Sequence, residues 1–289
     1  MALSDKKLPY LLIAPAFLYL IIIMLFPLSW AIYISFTDKT IGTDGTWIGF
    51  ANYTELLQDD LFRKSVWNTL LYTFYAVTLK MLLGLIMALI LNQAIRARNL
   101  FRALLLLPWT LPTFVSILIW RWIFSDTGGV MNHIFQSVGF IKQPLLWLGD
   151  AGLAFTSIVT VNVWRGMPFI GITLLAGLQS IPRELYESAA IDGANAIKRF
   201  WHITLPMLSN LILLTTVIIT IWTLNNFDVV YLLTNGGPAN ATYVISLYSY
   251  QVAFTTLDLA KAIAVSVLFL PVFIVLVNFV TKWTLASDE

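Results

Sequence analysis

From Leu8 to Thr37 the chain carries no acidic, basic or histidine residue. That run is longer than the roughly 20 apolar residues a helix needs to cross the hydrocarbon core of a bilayer. In water it would expose a column of leucine, isoleucine and phenylalanine with nothing to cover it, so the fold has to be one that lives in lipid. Composition extends the argument to the whole chain. Of 289 residues 59% are hydrophobic and only 11% charged, less than half of the roughly 25% charged residues that a soluble domain uses for its wetted surface. The formal net charge of +2 gives no reason to invoke nucleic acid. With no cysteine, disulfides, thiolate metal sites and cysteine nucleophiles are excluded.

Six segments are apolar enough to cross. The first lies near Leu8–Ile34. Lys6 and Lys7 precede it as in a secretory signal, but its apolar run is too long and no small-residue cleavage site closes it, so retention is expected. The others lie near Val66–Asn92, Ala103–Phe124, Leu153–Gln179, Pro206–Leu233 and Ala262–Thr281. Uninterrupted apolar runs argue against a barrel, whose strands alternate. The expected fold is therefore an all-α integral membrane bundle of six transmembrane helices. Trp120-Arg121-Trp122 and Lys282-Trp283 close the third and sixth spans, as expected at a headgroup belt.

Lysine and arginine set the orientation. With the amino terminus inside, Lys6, Lys7, Arg96, Arg98, Arg102, Arg183, Lys198, Arg199 and Lys282 face the cytoplasm, and Lys39, Arg63, Lys64, Arg121, Lys142 and Lys261 lie outside or at the outer edge. Both termini are then cytoplasmic. Longer outer loops span 36–65, 125–152 and 234–258. An amino-terminal part, 1–65, holds the first helix and first outer loop, and 66–289 holds the remaining five helices.

Between the fourth and fifth spans, residues 181–206 do not resemble a loop. Pro182 suits a first helical turn, Glu184 and Glu187 complement its positive end, and Asp192-Gly193 is a stop and turn. A second short helix is expected near Ala194–Ile203. Periodicity alone reads this hook as an amphipathic helix lying on the headgroups.

The residues themselves go further. Glu187-Ser-Ala-Ala-Ile-Asp-Gly-Ala194, then Phe200, Ile203 and Leu205-Pro206, resemble the EAA loop of permease subunits in binding-protein-dependent ABC importers, with Ser188 in place of the usual alanine. Phe101-Arg102-Ala103 before Leu107-Pro108-Trp109, Asn225-Asn226-Phe227-Asp228, and Leu232 to Pro238 are similar to the sugar branch of that family, the maltose-type MalF-like permeases. The resemblance implies a coupling hairpin at 181–206 that docks on a cytoplasmic ATPase. Glu187 would pair with an ATPase arginine, Asp192 and Gly193 would form the turn that fits the cleft, and Ala189 with Ala194 would pack closely. It implies as partners a second homologous permease, two ATPase subunits and a periplasmic or lipid-anchored solute-binding protein, in a bacterial cytoplasmic (inner) membrane. Neither a Gly-Lys dipeptide nor a G-x-G occurs, so no phosphate-binding loop is present. ATP and Mg would be used by the partner, and the chain itself would bind no cofactor.

A sugar site needs polar groups for hydroxyls and aromatic faces for ring CH groups. Asn162, Gly166 and Phe169 share one face of the fourth span, at i, i+4 and i+7. Ile219, Trp222, Thr223 and Asn226 share one face of the fifth. The resemblance places sugar on these two helices, whereas helix packing explains the same pattern equally well. Arg165 could meet a polar or anionic substrate group or pair with Asp228, and Lys80 could face the interior or snorkel. His133 and His202 have no companions at metal-ligand spacing. An ion-coupled secondary transporter is the rival function, since buried charges in six helices could also serve an ion-driven site.

Overall fold

The computed structural model describes residues 8–93 and 96–287, so Lys6, Lys7 and both extreme termini lie outside the described residues. In chain order the helices are α1 (Leu8–Leu20), a π-helical turn (Ile21–Leu25), α2 (Phe26–Ile34), α3 (Ala51–Gln58), α4 (Asp60–Asn92), α5 (Arg98–Thr110), α6 (Thr113–Ile123), α7 (Val130–Ser137), α8 (Ala151–Ser180), α9 (Arg183–Ile191), α10 (Ala196–Arg199), a second π-helical turn (Phe200–Thr204), α11 (Leu205–Leu224), α12 (Asp228–Leu233), α13 (Ile245–Phe254) and α14 (Leu259–Ser287). Among the described residues the only β pairing is a single bridge between Thr37 and Trp47. The protein is an all-α, multi-pass membrane bundle. Among the described residues four helices are long and apolar enough to span, at Leu12–Ile34, Asp60–Asn92, Ala151–Ser180 and Ala196–Leu224, and a bent pair at Asn99–Thr110 and Thr113–Ile123 makes up to five. Leu259–Val275 forms a shorter apolar helix.

Two compact units are present. One combines residues up to Arg63 with Tyr248–Pro271, and the other combines Lys64–Leu247 with residues from Val272 onward. In the first, Asp59 caps α4 by accepting from the backbone N–H groups of Leu61 (2.7 Å) and Phe62 (3.1 Å), and it also accepts from the Tyr248 hydroxyl at 2.7 Å. Asn52 donates to the carbonyls of Ser35 and Thr37 at 2.9 and 2.8 Å, tying α3 to the end of α2.

In the second unit the interior lies among α4, α8 and α11, where Met87, Leu91, Ile170, Leu174, Leu178, Leu208 and Ile219 form one buried cluster. Glycine sets how closely these helices approach. A Cβ on Gly84 would lie 2.6 Å from Ile170 Cγ2, and one on Gly177 would lie 2.5 Å from Leu211 Cδ2. Without a hydrophobic gradient between protein and lipid, such close approach supplies the dispersion contacts that hold membrane helices together.

The sequence expectations differ from the structure in four places. The third span is not one helix, because α5 stops at Thr110 and α6 restarts at Thr113 after a 94° bend. Pro112 is the cause: the residue before a proline is pushed out of helical geometry, and Leu111 is extended, with φ −69° and ψ 139°. The fifth helix begins earlier and ends earlier than expected, running continuously through the second π-turn and stopping at Leu224. Asn225 donates its side-chain amide to the Ile221 carbonyl at 2.9 Å, a local bond that competes with continuing the helix. The second arm of the hook is accordingly the first part of that fifth helix rather than a separate element. Finally, the segments 36–65, 125–152 and 234–258, expected as outer loops, contain helices of their own, α3, α7 and α13.

Candidate functional site

The interior of the second unit holds a set of polar side chains carried by α4, α8 and α11. Lys80 is the centre of it. Its side chain is only 5% exposed, and its ammonium donates to Thr223 Oγ1 at 2.7 Å. Thr223 sends its own hydroxyl hydrogen to the Ile219 carbonyl, leaving a lone pair for the lysine. Gly166 makes room for the lysine stem, since a Cβ there would lie 2.6 Å from Lys80 Cδ. Lys80 therefore does not snorkel.

About two turns before the lysine on α4, the buried Tyr72 hydroxyl donates to Asn226 Oδ1 at 3.1 Å. Asn162 is 7% exposed, and its side-chain oxygen is buried without a partner. Buried polar atoms are nearly always satisfied, so this acceptor is available to a hydroxyl. Arg165 donates to Thr113 Oγ1 at 2.6 Å, while its Nε is buried without a partner. The bend at Pro112 positions that threonine at the first residue of α6. Of the two roles open to Arg165, the ion pair with Asp228 does not form: the ion pairs within 4.0 Å among the described residues are Arg63–Asp60 and Lys261–Glu55. Phe169 lies with its ring centroid 5.2 Å from that of Trp222 and 6.1 Å from that of Trp109, giving an aromatic strip in which Trp222 is 54% exposed.

Of the two helix faces read from the sequence, the structure brings together Gly166 and Thr223 through Lys80, and Phe169 with Trp222. Asn162 and Asn226 sit beside them, and Ile219 is 2% exposed within the apolar core. Sequence reasoning missed Tyr72, Trp109 and Thr113. Tyr72 and Lys80 lie eight residues apart on one face of α4, a repeat that a search for polar residues along the second span would have found.

The hook is built by a helix-ending motif. Gly193 N–H donates to the Ala190 carbonyl at 3.1 Å, Ala194 N–H donates to the Ala189 carbonyl at 2.8 Å, and Gly193 has φ +77°. These two bonds and a left-handed glycine make a Schellman close. A Cβ on Gly193 would meet nothing within 4 Å, so conformation rather than space requires the glycine. Asn195 then caps the next helix, accepting from Lys198 N–H at 2.9 Å. Glu187, Asp192 and Gly193 are exposed, Ala189 and Ala194 half-buried, and Ile191 at the tip is 87% exposed. Ala189 and Ala194 line a cavity of about 350 Å³ with Lys198, Arg199, His202 and Ile203. Among the described residues no three histidine, aspartate or glutamate side chains gather as a metal site would need.

Comparison with known proteins agrees with this architecture. Residues 80–285 match the family described as "Binding-protein-dependent transport system inner membrane component". The chain is 37% identical over 267 residues to the sulfoquinovosyl glycerol transport system permease protein SmoG of Agrobacterium fabrum, covering 92% of this chain and 86% of that one. It is 38% identical over 248 residues to the trehalose/maltose transport system permease protein MalF of Thermococcus litoralis, covering 86% and 83%. The fold is shared with a chain in the crystal structure of a bacterial ABC transporter that imports the acidic polysaccharide alginate. There the TM-score is 0.83 at 23% identity, covering 99% of this chain and 98% of that one. The chain belongs to the binding-protein-dependent transport system inner membrane component family and is a non-catalytic, multi-pass permease subunit of an ABC importer, with ATP and Mg handled by a separate ATPase.

Proposed function

We propose that this permease carries a sugar or sugar derivative received from a solute-binding protein, as a MalF-like member of the family, through a site formed on α4, α8 and α11. The observation that carries the reading is the convergence of Asn162, Gly166, Phe169, Trp222, Thr223 and Asn226 around Lys80 and Tyr72. Amide and hydroxyl groups there can match sugar hydroxyls, and the partly exposed Trp222 ring can cover CH groups. The names of two relatives, one for sulfoquinovosyl glycerol and one for trehalose and maltose, support a sugar as cargo. Arg165 adds a donor at the edge of the site, and Ile219 backs it from the core.

In this proposal six segments cross the membrane, the bent α5–α6 pair and α14 being the third and sixth. Residues 1–65 contribute the first crossing and first outer loop, and 66–289 form the transport domain. Both termini and the 181–206 hook face the cytoplasm. There Glu187, Ala189, Asp192, Gly193 and Ala194 meet one of two ATPase subunits, while a second permease completes the channel. Support comes from the exposed hook tip and from the excess of lysine and arginine on that side.

The test is ATP-dependent uptake of labelled sugar by proteoliposomes containing the complete transporter, with the binding protein on the outside. Uptake by this chain alone, driven by an ion gradient without ATP, would establish the secondary-transporter alternative. Reporter fusions placing the hook outside would overturn the orientation.

A further inference from the structure

Lys80 packs its stem against Gly166, the residue that follows Arg165 on α8, and neither cation forms an ion pair within 4.0 Å among the described residues. Lys80 is 5% exposed and spends its ammonium on one neutral hydroxyl, Thr223 Oγ1. Arg165 likewise spends its one bond on a neutral hydroxyl, Thr113 Oγ1, and keeps a buried Nε with no acceptor. Among the described residues no carboxylate lies within 4.0 Å of either. Asp228, at the first residue of α12, is exposed and makes no ion pair with Arg165 within 4.0 Å. A buried cation without a partner is costly, and intramembrane lysines and arginines accordingly face a cavity, a counter-ion or cargo. A neutral sugar would be served by the amides and hydroxyls of Asn162, Asn226, Tyr72 and Thr223 alone. Lys80, buried and bonded only to a neutral hydroxyl, carries a desolvation cost that a neutral ring does nothing to offset, and the half-buried Arg165 beside Gly166 adds a second positive group.

We propose that the permease site takes a sugar bearing an anionic group, with Lys80 as its counter-charge, Arg165 as a second charged donor, and Asn162 and Asn226 binding its hydroxyls. The inference rests on the sugar-permease reading above and narrows its substrate class. Charge-assisted hydrogen bonds to a carboxylate, sulfonate or phosphate ester are the stronger kind, and in a site shielded from water they discriminate by charge more sharply than at a surface. The chemistry shared by the three anions is a negative oxygen cluster one substituent away from a hydroxylated ring.

The solute-binding protein selects cargo before the permease does, so the test leaves it out. The complete permease–ATPase complex in detergent is titrated by saturation-transfer NMR, which detects weak sites. The probes are methyl α-glucoside, methyl α-glucuronide, its 6-sulfonate counterpart, glucose 6-phosphate and sodium sulfate. At least one anionic sugar should bind ten-fold or more tightly than methyl α-glucoside, and the tightest of the three identifies the anion. K80Q should abolish that preference, K80R should retain it, and K142Q, at an exposed lysine far along the sequence from α4 and α8, should leave both the affinity for the neutral glycoside and the preference unchanged. Equal binding of neutral and anionic sugars would overturn the inference while leaving a neutral-sugar permease intact. So would a preference that survives K80Q, or sulfate binding as tightly as the best anionic sugar. If no sugar binds and none is transported by the intact system, the sugar-permease reading falls and takes this inference with it.

Discussion

Replacing Gly166 by alanine tests the central geometry of the site with one methyl group. The added Cβ would stand 2.6 Å from Lys80 Cδ and 3.6 Å from its Cε and Nζ, inside van der Waals contact for the first. Lys80 cannot escape to water, being 5% exposed, and to yield it must lengthen its 2.7 Å bond to Thr223. Overpacking of this kind costs about 1–3 kcal/mol, offset by the roughly 0.5–1 kcal/mol that alanine gains over glycine within a helix, for a net loss of about 0–2.5 kcal/mol. In a Lys80→Ala background the clash is gone, and Thr223 still donates to Ile219, so only the helix gain remains. The same substitution should then stabilise by about 0.5–1 kcal/mol, and because that gain cancels in the double-mutant cycle, the coupling should equal the overpacking cost of about 1–3 kcal/mol. Denaturant unfolding of the four proteins in detergent, followed by tryptophan fluorescence, measures it. Equal cost in both backgrounds, or a coupling below about 0.5 kcal/mol, would refute the contact between Lys80 and Gly166 on which the site is built.

Three further outcomes are expected. Glu187→Lys reverses an exposed charge at the hook and should lower sugar-stimulated ATP hydrolysis in the reconstituted transporter while the permease remains inserted. At Gly193 the φ of +77° makes valine worse than alanine and asparagine mildest, because a left-handed β-carbon costs about 1–2 kcal/mol and branching adds to it; coupled hydrolysis should fall in that order, and a ranking by side-chain volume instead would implicate space. Trp222→Ala and Asn162→Ala should each reduce sugar uptake without detaching the ATPase, the latter by about 1–3 kcal/mol in apparent affinity if its unpartnered oxygen receives a sugar hydroxyl; parental uptake across a range of sugar concentrations would make these packing surfaces.

Much of the helix plan was legible because lipid imposes it: a run such as Leu8–Thr37 has one stable conformation in a bilayer, and the helix α8 at Ala151–Ser180 brackets the span expected there. Breaks were harder. Leu111-Pro112 and Asn225-Asn226 stand in plain view, yet hydropathy averages over both, and each acts through a backbone bond that an apolarity argument does not count. The site was half legible. Periodicity finds which residues share a face of one helix, so Gly166 and Thr223 could each be chosen. That a lysine from a third helix lies between them is a fact about helix registry, fixed by close approaches such as Gly84 against Ile170, and nothing within a single segment encodes it.

The hook shows how far intrachain physics accounts for its residues and where it stops. Gly193 is required by its positive φ, while Ala189 and Ala194 are the two ends of the 2.8 Å bond that completes the helix close. Small side chains at both ends keep that turn thin. Ser188 departs from the usual alanine at little cost, since its hydroxyl donates back to the Leu185 carbonyl at 3.2 Å. Glu187 has no such explanation. It is exposed, lies in the second turn of a nine-residue helix where the dipole helps it little, and among the described residues makes no hydrogen bond or ion pair. Intrachain contacts therefore do not account for it, whereas the docking proposed above would give it a cation on another subunit to meet. Ile191, 87% exposed at the tip, would under the same proposal pack on the partner's surface, so that one docking event would engage both the charge and the apolar side chain.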